Sequence, residues 1–240
     1  MTDPLGVQPA PTGGWRRATV REVAHPTPHA VLLRLEVPDR IDHLPGQHYV
    51  IRLTAPDGYV AQRSYSVASA PSDPLIELFV ERLDDGEVST YLADVAAPGD
   101  VLDVRGPIGG WFVWRGDAPA AGVGGGSGVV PLVAMLRHSR HLGRGELLRL
   151  AVSSRTLAEL PYADELAAHG TVIALTREDS ASGRPRGRLN AADLRPVFDR
   201  ADDSYYICGS AGFAEAISDL LLDIGVAGQK IRVERFGPSG

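Results

Sequence analysis

The sequence predicts two domains of different class, an antiparallel β domain followed by a doubly wound α/β domain. Three observations predict it. Up to about Trp114 apolar residues recur at every second position between Gly and Pro breakers; after Asp117 apolar runs alternate with stretches spaced by three and four; and 240 residues, 44% of them apolar, suffice for two cores. The expected division is a tail over 1–14, a β domain over 15–116 and an α/β domain over 117–240.

Residues 1–14 carry Pro4, Pro9, Pro11, Gly6, Gly13 and Gly14, too little apolar surface to offset ordering, so a loose tail is expected. In the β domain Val31, Leu33, Leu35 and Val37 share one face while Leu32, Arg34 and Glu36 take the other. The same period marks Tyr49 to Leu53, Arg63 to Val67, Ile76 to Val80 and Val101 to Arg105, with turns at Pro45-Gly46, Asp57-Gly58 and Pro98-Gly99. Many short strands imply a barrel or sandwich. In the second half Val129 to Leu142 and Phe213 to Ile224 have helical spacing. Leu147 to Val152, Thr171 to Leu175 and Tyr205 to Cys208 read as buried strands, and strand-helix-strand order means a parallel sheet.

Composition excludes several chemistries. With 24 basic and 30 acidic residues the net charge is −6, which gives no general attraction to nucleic acid or anionic membrane. No apolar run approaches the length of a membrane span, and a cytoplasmic location is expected. The sole cysteine, Cys208, cannot supply a disulfide within the chain, an all-cysteine zinc site or a cysteine-ligated iron-sulfur cluster. The sole lysine, Lys230, does not follow a glycine, so a Walker A loop is absent. The strings around Ser127 and Ser210 lack GxSxG spacing, no HExxH string occurs, and His25 and His29 bracket Pro26 and Pro28 and so do not share a helical face; neither a hydrolase elbow nor a metal site is expected. His138 and His141 are expected to face solvent.

Three strings carry chemistry. Gly122, Gly124, Gly125, Gly126 and Gly128 precede a helix, whose free amides and dipole suit a pyrophosphate; Pro131 stands where a dinucleotide fingerprint has its third glycine, so a tight structural turn is the other reading. Arg63-Ser64-Tyr65-Ser66 lies on a strand, placing Arg63 and Tyr65 on one face and Ser66 on the other. An arginine fork binds phosphate and an aromatic ring packs on a heterocycle, but residue types alone favour an ion-paired surface arginine. Gly86-Glu87-Val88-Ser89-Thr90 offers hydroxyls and amides at a helix start, for a second phosphate or as an N-cap alone.

In combination and order these strings resemble the ferredoxin-NADP reductase superfamily. Arg63, Tyr65 and Ser66 are similar to its RxYS motif, Gly86 to Thr90 to its GxxS-type turn, and Gly125 to Pro131 to its GGxGxxP turn. Gly106-Pro107-Ile108-Gly109, Tyr206-Ile207-Cys208-Gly209 and Glu234-Arg235-Phe236-Gly237 resemble its remaining landmarks, so the likeness runs over about residues 15–238. It implies a six-stranded Greek-key β-barrel holding FAD, followed by a doubly wound domain holding NAD(P). It also implies residue roles. Arg63 with Ser64 would bind the FAD pyrophosphate, completed by Gly86, Val88, Ser89 and Thr90, while Tyr65 would pack on the isoalloxazine and Ser66 lie near N5. Gly125, Gly126, Ser127, Gly128 and Pro131 would hold the nicotinamide dinucleotide, with Cys208 and Gly209 at the nicotinamide. Glu234 would orient it or relay protons and Phe236 would shield a ring. Plain packing is the other reading of Cys208, Glu234 and Phe236.

Ser154 and Arg155 follow a sheet strand where the resemblance places the ribose end, with Arg177 after the next strand; these residues favour NADPH over NADH. The expected activity is hydride transfer from NAD(P)H to FAD N5, then electron transfer to a separate redox protein: a ferredoxin, a flavodoxin, an oxygenase component or a metallocofactor oxidoreductase. Reduction of a small acceptor (flavin, quinone, ferric chelate) and a noncatalytic flavin-binding subunit are the alternatives. Arg184, Arg186 and Arg188 read as an exposed loop, or as a docking point for an acidic partner.

Overall fold

The computed structural model describes residues 14–198 and 204–236; the expected tail, apart from Gly14, lies outside the described residues. The first half contains β1 (Arg16–Thr27), β2 (Ala30–Glu36), β3 (His48–Thr54), β4 (Val60–Ser66), β5 (Ile76–Glu81), helix α1 (Glu87–Asp94) and β6 (Val101–Ile108). The strands are antiparallel in the order β4-β3-β6-β1-β2-β5, and a bridge from Val67 to Leu78 joins the two ends into a barrel. Closure pairs the edge groups that an open sheet would leave to water or to another chain. The barrel is filled from one face of each strand, including Val31, Leu33, Leu35, Tyr49, Ile51, Leu78 and Val104, with Val88 and Leu92 of α1 joining the same core.

The second half runs β7 (Ala120–Gly125), α2 (Val130–His141), β8 (Leu148–Ser154), α3 (Ala163–Ala168), β9 (Val172–Leu175), α4 (Ala191–Leu194), β10 (Ser204–Ser210), α5 (Ala211–Asp223) and β11 (Ile231–Phe236). All five strands are parallel, in the order β11-β10-β7-β8-β9. One face of the sheet packs with residues of α2 and α3, such as Leu132, Met135, Leu136 and Leu166. The other packs with α4 and α5 through Leu194, Ala214, Ile217 and Leu221. The strand order reverses between β7 and β10, and the crevice at the C-terminal ends of those two strands is where such sheets bind ligands. Among the described residues no helix is long and apolar enough to cross a membrane.

β7 was hidden in the sequence because its core positions are glycines: a Cβ on Gly122 would lie 2.8 Å from Leu132, and one on Gly124 would lie 3.0 Å from Val129. The passage between domains also departs from expectation. Phe112 and Trp114, ahead of the boundary expected near 116, are buried in the core of the second sheet. The Trp114 amide donates to the Pro45 carbonyl (3.2 Å) and the Tyr206 hydroxyl donates to that of Val113 (2.8 Å), so this segment straps the barrel to the sheet. Two bulky aromatic rings find their burial there, which a free linker would not provide.

The domains are joined chiefly at Glu77 of β5, a buried carboxylate. Its Oε1 accepts from Arg137 Nη1 of α2 (2.7 Å) and from the Tyr162 hydroxyl (2.9 Å). Arg137 also donates to the Ala68 carbonyl (3.1 Å) and to Glu165 (3.0 Å). Burial opposes the charge on Arg137, but the carboxylates of Glu165 and Glu77 outweigh it and hold the guanidinium above its ordinary value. Ala30, Ala68 and Phe79 of the barrel half form an apolar cluster with Val130, against which Tyr162 packs. Removing one partner of a buried pair costs more than the pair contributes, because the other charge stays buried. Arg137→Met should therefore lower unfolding free energy by about 3 kcal/mol, read from urea titration; a loss under about 0.5 kcal/mol would match a surface pair instead.

Candidate functional site

On β4, Arg63 is exposed and Tyr65 is packed against the barrel core. Arg63 Nη1 donates to the Gln62 carbonyl at 2.8 Å, and among the described residues no carboxylate pairs with it. The ion-paired reading of this arginine is thereby removed, leaving a surface cation beside an aromatic ring. Burial pushes the Tyr65 phenol well above its ordinary value, so it stays neutral. Ser64 is exposed on the opposite face. Ser66 is buried and its hydroxyl has no hydrogen-bond partner. An orphaned buried hydroxyl is costly, and a ligand atom or a water is what completes it.

Ser66 lies opposite His48 in the β3-β4 ladder. The neighbouring Gln47, which the sequence reading passed over, is buried; its Oε1 accepts from the Leu44 amide (2.7 Å) and its Nε2 donates to the Gly109 carbonyl (2.6 Å). One glutamine thus ties the turn before β3 to the turn after β6, at the level of Ser66. No local pattern marks it, since its partner is far away in the chain.

At α1 the structure redistributes the expected roles. The Ser89 hydroxyl accepts from the Leu83 amide and donates to the Gly86 carbonyl (both 3.2 Å), and the Thr90 hydroxyl donates to the Leu83 carbonyl (3.1 Å). The Thr90 amide is taken by the Gly86 carbonyl (2.8 Å). These hydroxyls therefore build the turn, which needs Gly86 because a Cβ would lie 2.2 Å from Ser89 Oγ. What remains for an anion is the first-turn amides at Val88 and Ser89.

The central turn leaves β7 with Gly125 extended, and Gly126 adopts φ +56 with nothing within 4 Å of a Cβ. Gly128 sits against the end of β10, where a Cβ would meet the Cys208 carbonyl oxygen at 2.2 Å. The Phe213 ring covers both Gly125 and Gly209, a contact that α5 sets by capping its N-terminus on Ser210. Pro131 falls in the first turn of α2, where its missing N–H costs nothing. The Ser127 hydroxyl donates across the domain junction to Glu81 Oε2 (3.0 Å), another contact that sequence spacing does not reveal.

Cys208 is fully buried, and burial, reinforced by the Glu234 carboxylate, pushes its thiol well above its ordinary value. A neutral thiol enclosed in the core acts as a small apolar filler, so the catalytic expectation for Cys208 gives way to packing. Glu234 is its ladder partner on β11, and burial lifts the Glu234 carboxyl to about 7. Phe236, opposite Ser210, packs against the second core. At the end of β8, Ser153 and Ser154 are buried, whereas Arg155 makes an ion pair with Glu159 (2.5 Å). The Arg177 amide donates to the Arg155 carbonyl (2.9 Å).

On the surface, Arg186 and Arg188 are exposed, while Arg184 Nη2 pairs with Asp193 (2.7 Å) and donates to the Arg188 carbonyl (2.8 Å), so Arg184 braces its own loop. His138 is half-buried, edge-on to Trp114 and within 3.2 Å of the Arg115 carbonyl, because the ring shields that strap. A free arginine, an orphaned serine hydroxyl, and an open glycine turn at the crevice fit a flavin dinucleotide on the barrel and a nicotinamide dinucleotide on the sheet.

Residues 18–113 match the oxidoreductase FAD-binding domain family. The flavohemoprotein of Chromobacterium violaceum is 31% identical over 213 residues, covering 80% of this chain and 52% of that protein. The chain spans 51–63% of the length of the curated relatives it matches. The FAD/NAD-binding domain of nitric oxide dioxygenase from Vibrio cholerae is similar with a TM-score of 0.81 at 25% identity, covering 93% of this chain and 99% of that one. A ferredoxin NADP+ reductase from Neisseria gonorrhoeae, solved with FAD and NADP, shares the fold with a TM-score of 0.79 at 22% identity, covering 92% and 98%.

Two predictions follow from this geometry. Gly128→Ala should destabilise the chain by about 2 kcal/mol because backbone must move, and Gly126→Ala, strained but unobstructed, by about 1 kcal/mol; thermal unfolding in the reverse order would contradict the close approach at Gly128. Glu234 binds a proton in the folded chain between its ordinary 4.5 and about 7, while the unfolded chain has released it. Its contribution is intact below that window and lost as pH rises through it. Glu234→Gln should flatten the fall in stability across that range, and an unchanged pH slope would show the carboxyl is not protonated there.

Proposed function

We propose that this chain, which belongs to the ferredoxin-NADP reductase superfamily, works as an FAD-dependent NAD(P)H reductase that passes electrons to a separate redox protein. The observation that carries this reading is the orphaned Ser66 hydroxyl, buried next to Tyr65 and on the same strand as Arg63, which no carboxylate pairs among the described residues. The chemistry that FAD supplies when bound is acceptance of a hydride from NAD(P)H and its release as single electrons.

The chain's own residues do the positioning. Arg63 and the first-turn amides of α1 neutralise the flavin's pyrophosphate, and Tyr65 gives its ring system an apolar wall. Ser66 donates a hydrogen bond that has no competitor inside the protein. The turn from Gly125 to Gly128 brings backbone amides to the second dinucleotide, with Phe213 fixing the turn from behind. The Glu77-Arg137 junction and the Ser127-Glu81 contact hold one domain against the other, so two bound rings share a fixed approach. Glu234, neutral for the most part at pH below 7, keeps the cleft from repelling an anionic dinucleotide.

The residues of this sequence cannot ligate an iron-sulfur cluster through cysteine, because Cys208 is the sole cysteine, which supports an acceptor other than a cluster bound by them.

Purified protein should be yellow and should bleach anaerobically on addition of NADH or NADPH; a colourless protein that binds no added FAD would end the proposal. Ser66→Ala should slow that bleaching in stopped flow by about tenfold, the loss of roughly one hydrogen bond, while FAD is retained. Unchanged bleaching would remove Ser66 from the transfer step.

A further inference from the structure

Ser154 and Arg155 in sequence favour the phosphorylated dinucleotide, but the structure arranges this corner differently. In a doubly wound sheet the ribose nearest the adenine sits over the C-terminal end of the strand after the glycine turn, where a carboxylate favours a 2′-hydroxyl and an arginine a 2′-phosphate. That strand is β8, which pairs with β7 and ends at Ser154. The next residue, Arg155, has its Nε 2.5 Å from Glu159 Oε2. Glu178 Oε1 accepts from the Leu157 amide at 2.6 Å, which pins the loop that carries both partners. Ser153 and Ser154 are buried in the strand end. The arginine directly after β8 thus already has a carboxylate at its Nε, and a second carboxylate stands over the same loop.

We infer that this chain selects NADH over NADPH, with Glu159 as the specificity-determining residue because it occupies Arg155. A 2′-phosphate bound by Arg155 would lie near both Glu159 and Glu178, whose charges oppose it. A 2′-hydroxyl carries no charge for them to oppose. The inference rests on the reductase reading above, because it places a dinucleotide at the Gly125–Gly128 turn.

The test is isothermal titration of the full chain, loaded with FAD, using NAD+ and NADP+ as probes. The expected result is an NAD+ dissociation constant about tenfold lower than that for NADP+. Glu159→Gln should shift the ratio of the two constants toward NADP+ by about fivefold or more, and Glu178→Gln should shift it the same way if the first variant fails to fold. The kcat/KM ratio for NADH and NADPH should follow the binding ratio. Tighter NADP+ binding by the unmodified chain would overturn the inference while leaving the reductase reading in place. An unchanged ratio in both variants would overturn the role of the two carboxylates. Binding of neither dinucleotide would overturn both the inference and the reductase reading.

Discussion

The arrangement of the molecule depends on one buried carboxylate, Glu77, which lies in the barrel but is satisfied from the other domain. Arg137 and the Tyr162 hydroxyl converge on the same Oε1, and Glu165 holds Arg137 from behind. Within the barrel Arg34 Nε approaches the other oxygen, Oε2, only to 3.8 Å, so the hydrogen bonds that satisfy this buried carboxylate come from the docked α/β domain. This makes the angle between the domains part of the folded state. The strap through Phe112 and Trp114 and the Ser127-Glu81 hydrogen bond act in the same direction from the other side of the junction.

Small residues set the other dimension of the site, its closeness. Gly128 lets the turn lie against the carbonyl of Cys208, Gly125 and Gly209 accept the Phe213 ring, and Gly122 and Gly124 admit α2 onto the sheet. Each absent Cβ brings one layer nearer the next, so the open space above Gly126 is bounded below by tightly packed chain. The barrel side contributes the opposite feature, polar groups left unspent: the Arg63 guanidinium and the Ser66 hydroxyl.

The elements with clear periodicity were legible in the sequence. Val31 to Val37 alternates, and the structure buries the residues expected inside. The helix spacings from Val129 and from Phe213 became α2 and α5 within a residue or two. β7 was not legible, because four glycines and alanines at its core positions carry no hydrophobic period. In the site, the strings around Arg63, Gly86 and Gly125 were visible as residue types, but their division of labour was not. Ser89 and Thr90 look like ligand-binding hydroxyls until their partners at Leu83 and Gly86 are seen. Gln47, Glu77, Glu81 and Phe213 act through contacts distant in sequence, which no spacing rule encodes.

Charge in the cleft is the last element that ties these features together. Both dinucleotides that the site fits are anionic, yet the chain as a whole carries a net charge of −6. Binding therefore needs local relief. On the barrel it comes from Arg63, which no carboxylate neutralises among the described residues. On the sheet it comes from backbone amides and the start of a helix, which attract phosphate without adding a side-chain charge. Between them Glu234 pairs with Cys208 in the β10–β11 ladder, and burial lifts its carboxyl to about 7. Desolvation thus removes the charge that would most directly oppose an incoming dinucleotide. The same desolvation keeps the Cys208 thiol neutral, so the strand behind the glycine turn adds no charge of its own there.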